Sequence, residues 1–269
     1  MNKIVSITAI LCVAALLLSA CGSPAAEPQS GRTQAPAAES GEAVSETAEP
    51  APEEAVQETP AEPAAPGGAA YAWLGMQDMP RCHYIDAVAS AHYYREFVYI
   101  STGNVYSETV EAVDGVNIYY GTQYTRSYTI DGRSIGFNDS AMVYSEREDN
   151  SSAAEAAEAL AQAVAAGENV SGRAFAEAGR GPVPAGYDYF FDDVSDYDYY
   201  EFHYPATEEY GLRKIERYYM RNGDVFAIYF EESFGEEILS DYTEVIRSIT
   251  TEIPEGVFDL PDLDGYQKN

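Results

Sequence analysis

Residues 215–230, with the sequence IERYYMRNGDVFAIYF, decide the fold. Two runs rich in aromatic and branched residues, 215–220 and 225–230, flank Asn222-Gly223. Asn-Gly is among the strongest hairpin signals, because both central residues of a tight two-residue turn take positive φ. The stretch therefore predicts two antiparallel strands joined by a tight turn.

The same strand pattern extends outward along the chain. From His92 the hydrophobic period is two, and it predicts strands at 92–101, 105–113, 116–120, 124–130 and 134–138, with a short one at 142–144. Asp114-Gly115 and Asp131-Gly132 supply further turn signals between them. Beyond the next helix, we expect strands at 187–191 and 197–204, and either a strand or a short helix at 242–253. The sequence thus predicts an antiparallel meander.

Two helices and one long loop complete the prediction. Asp78-Met79-Pro80 is typical of a helix start, followed by apolar residues at helical spacing up to Ala89. Ser152-Ala-Ala-Glu155 has the form of a capping box, and the alanine-rich helix after it should end before Gly167. Residues 171–186 are rich in glycine, proline and alanine and predict a loop.

The N-terminus carries a secretion signal. One basic residue, Lys3, precedes an uncharged apolar run at 4–18, and Leu18-Ser19-Ala20-Cys21 follows. These four residues resemble the lipobox of bacterial lipoproteins. The resemblance implies cleavage before Cys21, a diacylglycerol on its sulfur and further acylation in some bacteria, which together anchor the chain at the extracytoplasmic face of the cell membrane. The alternative is an ordinary signal peptide with a chance cysteine.

A linker separates the signal from the domain. Residues 21–70 consist mainly of alanine, proline, glutamate, glycine, serine and threonine and contain no aromatic residue. Such a segment cannot bury enough apolar surface to offset its conformational entropy, so we expect a disordered acidic tether. The predicted organisation is a signal peptide at 1–20, a lipidated tether at 21–70 and a globular domain at 71–269.

The charge of the chain excludes several kinds of partner. The full sequence has 45 acidic and 15 basic residues, a net charge of −30. Removal of the signal would take away Lys3 and no acidic residue, which leaves a net charge of −31. This argues against nucleic acid and against electrostatic docking on anionic lipid. Cys82 would be the one thiol left to the mature chain, so we expect no intramolecular disulfide.

A family resemblance concerns most of residues 92–266. It is carried by the phrase Asp114-Gly-Val-Asn-Ile-Tyr119, more loosely by Asp131-Gly132-Arg133, and by the ending IPEGVFDLP at 253–261 with Tyr266. These features resemble the LolA-like lipoprotein-carrier superfamily. The resemblance implies an α+β fold in which a strongly curved antiparallel β-sheet, an incomplete barrel, is closed by helices over an apolar cavity. It also implies no catalysis and a lipid or lipidated protein as ligand. A competing fold is a flatter α+β sandwich ending in a helix at 241–250, as in PsbP-like domains.

Aromatic and branched residues in the predicted strands are the candidates for lining a cavity. They are Tyr99, Tyr120, Tyr128, Phe137, Phe226 and Ile228. Tyrosine hydroxyls there could orient a ligand. The alternative is that these alternating side chains simply form the core and the cross-strand pairs of the sheet.

Other constellations point less clearly to chemistry. Asp192, Asp193, Asp196 and Asp198 could hold Ca²⁺ through alternating oxygens, but the glycine and glutamate of an EF-hand loop are missing, which favours a solvated turn. Cys82-His83 has no second pair to complete a zinc site. No nucleophile elbow or phosphate-binding loop occurs. We therefore expect no metal, no cofactor and no catalysis.

Two functions follow from these observations. The first is a membrane-anchored binding module whose curved sheet holds an apolar or lipid-like ligand. The second is an envelope interaction protein with a filled core, whose acidic, tyrosine-rich surface around 187–204 contacts another protein.

Overall fold

The computed structural model describes residues 67–103, 105–148, 153–208 and 210–269. The lipobox with Cys21 and nearly all of the predicted tether lie outside these residues, as does Ser152 of the predicted capping box. Across the described ranges, every helix is too short or too polar to span a bilayer.

One large sheet of twelve strands dominates the described chain. The strands are β1 His92–Ser101, β2 Tyr106–Asp114, β3 Asn117–Thr122, β4 Thr125–Ile130, β5 Arg133–Asn138, β6 Val143–Glu148, β7 Ala174–Gly181, β8 Tyr197–His203, β9 Leu212–Arg221, β10 Asp224–Phe234, β11 Glu237–Thr250 and β12 Gln267–Lys268. Their order in the sheet is β12-β6-β5-β4-β3-β2-β1-β11-β10-β9-β8-β7. Two antiparallel meanders, β1–β6 and β7–β11, therefore meet where β1 pairs with β11.

The predicted antiparallel sheet is confirmed. The sheet is open, with β7 at one edge and the two-residue β12, which pairs in parallel with β6, at the other. It is not closed into a barrel. The strong curvature and the closing helices of the LolA-like fold remain predictions.

Tight turns connect most neighbouring strands, as predicted. Asn222 and Gly223 have φ angles of 54° and 80°, and Asp131 and Gly132 have φ angles of 52° and 72°. The third predicted turn joins β2 to β3, where Asp114 pairs with Asn117. Its two central residues are Gly115 and Val116, and only Gly115 has positive φ. That hairpin therefore uses a different turn from the other two.

Gly223 offers a direct test of the Asn222-Gly223 turn. A Cβ at Gly223 would meet no atom within 4 Å, so Gly223→Ala changes only the backbone energy of a residue at φ +80°. We expect it to lower the free energy of unfolding by about 1–2 kcal/mol. Gly103→Ala is the control, since Gly103 lies outside the left-handed region and its nearest contact is at 3.8 Å. Urea unfolding followed by fluorescence of the buried Trp73 should separate the two variants.

The helices agree with the sequence prediction in part. A 3₁₀ helix, Gly68–Leu74, precedes α1, His83–Ala89, which begins later than the predicted start at Asp78. The turn in which Met79 N–H donates to the carbonyl of Met76 takes the place of the predicted first turn. Helix α2, Ala153–Ala166, ends as predicted before Gly167, which has a φ of 67°.

Three predictions for the second meander are corrected or decided by the structure. The predicted loop at 171–186 contains the edge strand β7, whose exposed small residues lack the alternation that marks a half-buried strand. The predicted strand at 187–191 is a short helix, α3 Tyr187–Phe191, which is bounded by the left-handed residues Gly186 and Asp192. A one-turn helix, α4 Pro205–Glu208, follows β8. The segment at 242–253, predicted as either a strand or a short helix, belongs to strand β11 up to Thr250. The helix at 241–250 of the competing fold is therefore absent.

Buried side chains of the described residues form three hydrophobic clusters. The first joins Tyr71 and Ile85 of the N-terminal helices to Phe202 and Ile228 of the sheet. We call the sheet face that carries Ile228 the helix-side face. The second cluster, with Ala227 and residues 183–187, lies on the opposite face, which we call the loop-side face. The sheet is thus packed on both faces at β8–β11.

The third cluster is smaller. It consists of Tyr128, Ile135 and Phe137, with Tyr266 of the C-terminal segment packed against it. The C-terminal segment also places Tyr266 where its hydroxyl contacts Arg126. The far end of the first meander therefore has a core of its own.

Candidate functional site

The six candidate ligand-binding residues do not surround one common space. Tyr128 and Phe137 belong to the small third cluster, Phe226 to the loop-side cluster and Ile228 to the helix-side cluster. Tyr99 and Tyr120 are half-buried. Tyr99, Tyr120 and Ile228 lie on the helix-side face, on strands β1, β3 and β10.

Strand register explains the separation. A bulge in β10 between Val225 and Ala227 places Phe226 in the same cluster as Ala227, and Ile228 then faces the other way. On β4, Ser127 is the residue opposite Tyr120, so Tyr128 points to the other face. A one-residue change of register moves a side chain across the sheet, and periodicity alone does not reveal it.

Tyr99 and Tyr120 are part of a larger group of rings, which we call the aromatic row: Phe97, Tyr99, Tyr120, Phe230 and Tyr242. The ring centroids of Tyr99 and Tyr242 are 4.9 Å apart, those of Tyr242 and Phe230 are 4.6 Å apart, and those of Phe97 and Tyr120 are 6.2 Å apart. Phe97 is buried, whereas the other four are half-buried. The row crosses from β3 to β10 through the seam between the two meanders.

A buried ion network lies beside the aromatic row. Arg95 Nε donates to Glu111 Oε2 at 2.6 Å, and Arg95 Nη1 donates to Glu244 Oε2 at 2.7 Å. Arg95 Nη1 also donates to the Tyr84 hydroxyl at 2.8 Å, and the Tyr93 hydroxyl donates to Glu111 Oε1 at 3.0 Å. Arg95, Glu111 and Glu244 are only 9%, 6% and 5% exposed. We call these five residues the Arg95 network.

The network holds one more negative than positive charge when Arg95, Glu111 and Glu244 are ionised and the two tyrosines are neutral. Burial alone would lower the pKa of Arg95, but Glu111 and Glu244 outweigh it, and the pKa lies well above its ordinary value. The Arg95 guanidinium therefore stays charged. Burial raises the pKa of Glu244, and the neighbouring Arg95 offsets this only in part. Burial therefore favours the protonated form of the Glu244 carboxyl.

This shift predicts a signed pH dependence of stability. Because the folded pKa of Glu244 lies above the unfolded value of 4.5, its contribution to stability is fully present below that value and is lost as the pH rises through the folded pKa. We expect wild type to lose stability relative to Glu244→Gln between pH 4.5 and pH 7.5, measured by urea unfolding at several pH values.

Asp139 supplies a control of opposite sign for this pH dependence. Arg126 donates two hydrogen bonds to its carboxylate and lowers its pKa below 3.8. The contribution of Asp139 to stability is therefore present above the unfolded pKa of 3.8, and it is lost only as the pH falls through the lower pKa of the folded state. The stability difference between wild type and Asp139→Asn should thus stay flat from pH 4.5 to pH 7.5. A flat difference for Glu244→Gln as well would contradict the prediction.

A second buried network lies further along the helix-side face. Glu216 Oε2 accepts from the Tyr218 hydroxyl at 2.7 Å and lies 3.4 Å from Arg173 Nη2, while its Oε1 accepts from Tyr204. Arg173 Nη1 also donates to Tyr218 at 3.0 Å. Buried charges on this face are therefore paired, as the cost of burying them requires.

Sequence reasoning missed the charged members of both networks. Arg95 stands between Tyr93 and Phe97 at a spacing of two, and Glu244 stands in the same way between Tyr242 and Ile246. A charged residue at a position where alternation predicts an inward-facing apolar side chain is the signal that could have found them. Their pairing could not have been found this way, because it depends on β1 lying beside β11.

The tyrosine-rich segment 187–204 divides between surface and core. Tyr189 and Val194 are 74% and 78% exposed. Tyr197 and Tyr199 instead pack against the loop-side cluster, and Tyr200 packs against the helix-side cluster. Only part of this segment is available to a partner.

Two of the four aspartates that were weighed as calcium ligands have other partners. Asp193 accepts from the Tyr197 hydroxyl at 2.6 Å and from the Ser195 N–H at 2.9 Å, and these bonds lower its pKa to about 2. Asp198 pairs with Arg180 at 2.8 Å. Within the described residues, no group of three or more histidine, cysteine, aspartate or glutamate side chains is arranged to hold a metal.

Cys82 lies in the helix-side cluster and is 6% exposed. Burial raises the pKa of its thiol to about 12. The thiol is protonated at neutral pH and packs as a small apolar side chain.

Chemically, the helix-side face combines half-buried rings with charges that are fixed by their own partners. Such a surface suits contact with an apolar or amphipathic molecule, since the rings offer apolar area and the tyrosine hydroxyls offer orientation. That this face binds lipid, as the LolA-like resemblance implies, stays a prediction. No protein-family model matches the chain, and no curated protein is significantly similar to it.

Proposed function

We propose that the chain is a membrane-anchored extracytoplasmic lipoprotein whose domain is a non-catalytic binding module for an apolar or lipid-like ligand. The lipobox at 18–21 supports the anchor. Two or more acyl chains give stable attachment, whereas one chain binds only marginally. At a net charge of −31, the mature chain would be repelled by anionic lipid, so the anchor on Cys21 has to hold it in place.

The aromatic row is the observation that carries the binding proposal. Tyr99, Tyr120 and Tyr242 are half-buried, so each keeps some surface that the described residues leave uncovered. Removing such surface from water stabilises a complex by roughly 25 cal/mol per Å². A lipid-like chain along the row would gain this contact, and its polar end could bond the hydroxyls.

Replacement of Cys21 tests the anchor. We expect Cys21→Ala to release the protein from the membrane fraction, because no acyl chain can then be attached. The domain should keep the far-UV circular dichroism of wild type, since the described strands of the sheet lie between residues 92 and 268. Retention of the variant at the membrane would show that another part of the chain binds there and would contradict an anchor confined to Cys21.

The ligand proposal is tested with cis-parinaric acid, a fluorescent fatty acid, as probe. We expect wild type to bind it and Tyr99→Ala and Tyr242→Ala each to weaken binding about tenfold, through loss of roughly 1.4 kcal/mol of ring contact. Tyr210→Ala is the control, because Tyr210 is 81% exposed and takes no part in the ring contacts of the row. Absence of uptake by wild type, or equal binding by all three variants, would overturn the proposal.

The alternative, an envelope protein-interaction module, is favoured by one observation. The sheet is packed on both faces at β8–β11, and Tyr189 and Val194 nevertheless remain highly exposed. Tyr189→Ala and Val194→Ser are the suitable variants, since Tyr197, Tyr199 and Tyr200 also support the core. Under this alternative, both variants lose a partner protein that wild type captures, while the fatty-acid probe does not bind.

A further inference from the structure

A groove of about 530 Å³ opens on the loop-side face, across β11, β1, β2 and β3. Its wall includes Glu96, Glu108 and Arg247, together with the rings of Tyr106 and Tyr119. Glu96 and Glu108 lie on the same face as Val98, because Glu96 pairs with Val110 and Val98 pairs with Glu108. We call this space the β1–β3 groove. Its volume is in the range of small-molecule sites.

A β-bulge places Arg247 in the groove. Glu96 pairs with Ser248 and Phe97 with Ile246, so Arg247 is the extra residue of β11. Bulges redirect a side chain and are frequent beside functional sites. Arg247 Nη2 lies 3.5 Å from the Tyr106 hydroxyl, and its guanidinium carbon lies 5.4 Å from the centroid of Phe191.

Aromatic side chains shape the two ends of the groove. The ring centroids of Tyr106 and Phe190 are 5.3 Å apart, so α3 supports the wall at β2. At the other end, the Tyr119 hydroxyl lies over Gly121 in the position that a Cβ would occupy. Gly121 therefore lets the Tyr119 side chain lie flat along the groove.

The charges of the groove are not paired with one another. Within the described chain, Glu96 and Glu108 lie farther than 4 Å from every basic side chain, and Arg247 is equally far from every carboxylate. Glu96 accepts one hydrogen bond, from the Tyr94 hydroxyl at 3.0 Å. Two carboxylates and one guanidinium remain available to a ligand, and together they carry a net charge of −1.

We propose that the β1–β3 groove binds a small zwitterionic amine. Its ammonium group lies between Glu96 and Glu108, its carboxylate pairs with Arg247, and its apolar part contacts the rings of Tyr106 and Tyr119. Carboxylates and aromatic faces both attract an ammonium group, and arginine binds a carboxylate with two parallel hydrogen bonds. This site lies on the opposite face from the aromatic row, so it is independent of the proposed function.

Three probes that share a benzyl group and differ in charge test the proposal by titration calorimetry of the full chain. They are phenylalanine, a zwitterion, phenethylamine, a cation, and phenylacetate, an anion. We expect phenylalanine to bind most tightly, phenethylamine more weakly and phenylacetate not at all. Absence of binding by phenylalanine at millimolar concentration, or equal binding of phenylacetate and phenethylamine, would overturn the proposal.

Charge variants assign the contacts. Glu96→Gln with Glu108→Gln should weaken phenylalanine and phenethylamine about tenfold each, whereas Arg247→Gln should weaken phenylalanine alone by a similar factor. The matched control is Glu236→Gln with Glu237→Gln, which changes the net charge equally at exposed positions. If the control pair weakens binding as much as the groove pair, the net charge of the chain and not the groove binds the amine, and the proposal is wrong.

Discussion

Replacement of Arg95 by methionine is expected to lower the free energy of unfolding by about 3–5 kcal/mol. The variant leaves Glu111 and Glu244 buried without a counter-charge, and Tyr84 loses its donor. Removing one partner of a buried ion network is costly because the remaining charges keep their desolvation penalty. The expected loss is a large part of the roughly 5–15 kcal/mol that stabilises a typical domain.

Arg180→Met is the matched control for this prediction. Arg180 also pairs with a carboxylate, that of Asp198 at 2.8 Å, but the two side chains are 64% and 68% exposed. An exposed pair contributes about 1 kcal/mol or less. Urea unfolding monitored by Trp73 fluorescence should therefore show a much lower midpoint for Arg95→Met than for Arg180→Met. Similar midpoints for the two variants would show that the Arg95 network is not desolvated as described.

A variant that makes the whole network apolar separates pairing from packing. It combines Arg95→Met with Glu111→Leu, Glu244→Leu, Tyr84→Phe and Tyr93→Phe, so that no member is left with an unsatisfied group. Replacement of a complete buried ion network by apolar residues is often neutral or stabilising. We expect the combined variant to recover most of the stability that Arg95→Met loses. If the combined variant recovered no stability, the apolar side chains would not fill the space of the network, and its packing would matter more than its charges.

The hairpins of the sheet could be predicted because their signals are local. Asn222-Gly223 and Asp131-Gly132 fix both the turn and the strands beside it, and the structure has each of them where the sequence predicted. The edge strand β7 and the helix α3 were not predicted correctly. The residues of β7 are small and mostly exposed, so they show no alternation of apolar and polar side chains. Helix α3 begins after Gly186 and ends before Asp192, and the aromatic sequence between them resembles a strand.

The candidate site was less predictable, because it depends on pairing between distant parts of the chain. Arg95 and Glu244 are 149 positions apart, and they meet only because the first and last long strands of the domain lie side by side. Bulges add to the difficulty, since they decide that Phe226 and Ile228 face opposite ways and that Arg247 enters the groove. Composition and periodicity predict which residues lie in strands, whereas the seam between the meanders decides which of them meet.

The second large effect is expected at Phe202, the β8 residue of the helix-side cluster. Phe202 is fully buried in the cluster that also contains Ile85 of α1. We expect Phe202→Ala to lower the free energy of unfolding by about 3–5 kcal/mol, through lost apolar contact and the cavity left behind. Phe234→Ala, at a strand position that is 57% exposed, should cost no more than about 1 kcal/mol.

A double-mutant cycle between Phe202→Ala and Ile85→Ala then tests whether α1 is part of the sheet's core. Residues that share a packed cluster show interaction energies of about 0.5–3 kcal/mol, whereas distant residues add independently. We expect a coupling in that range for Phe202 with Ile85 and none for Phe202 with Leu239, which is 53% exposed. Additive effects in both cycles would mean that Ile85 and Phe202 do not share one packed core, and the helix-side cluster would then lose its helical half. Coupling with Ile85 alone would establish the helices as a layer on the face that carries the aromatic row and the Arg95 network.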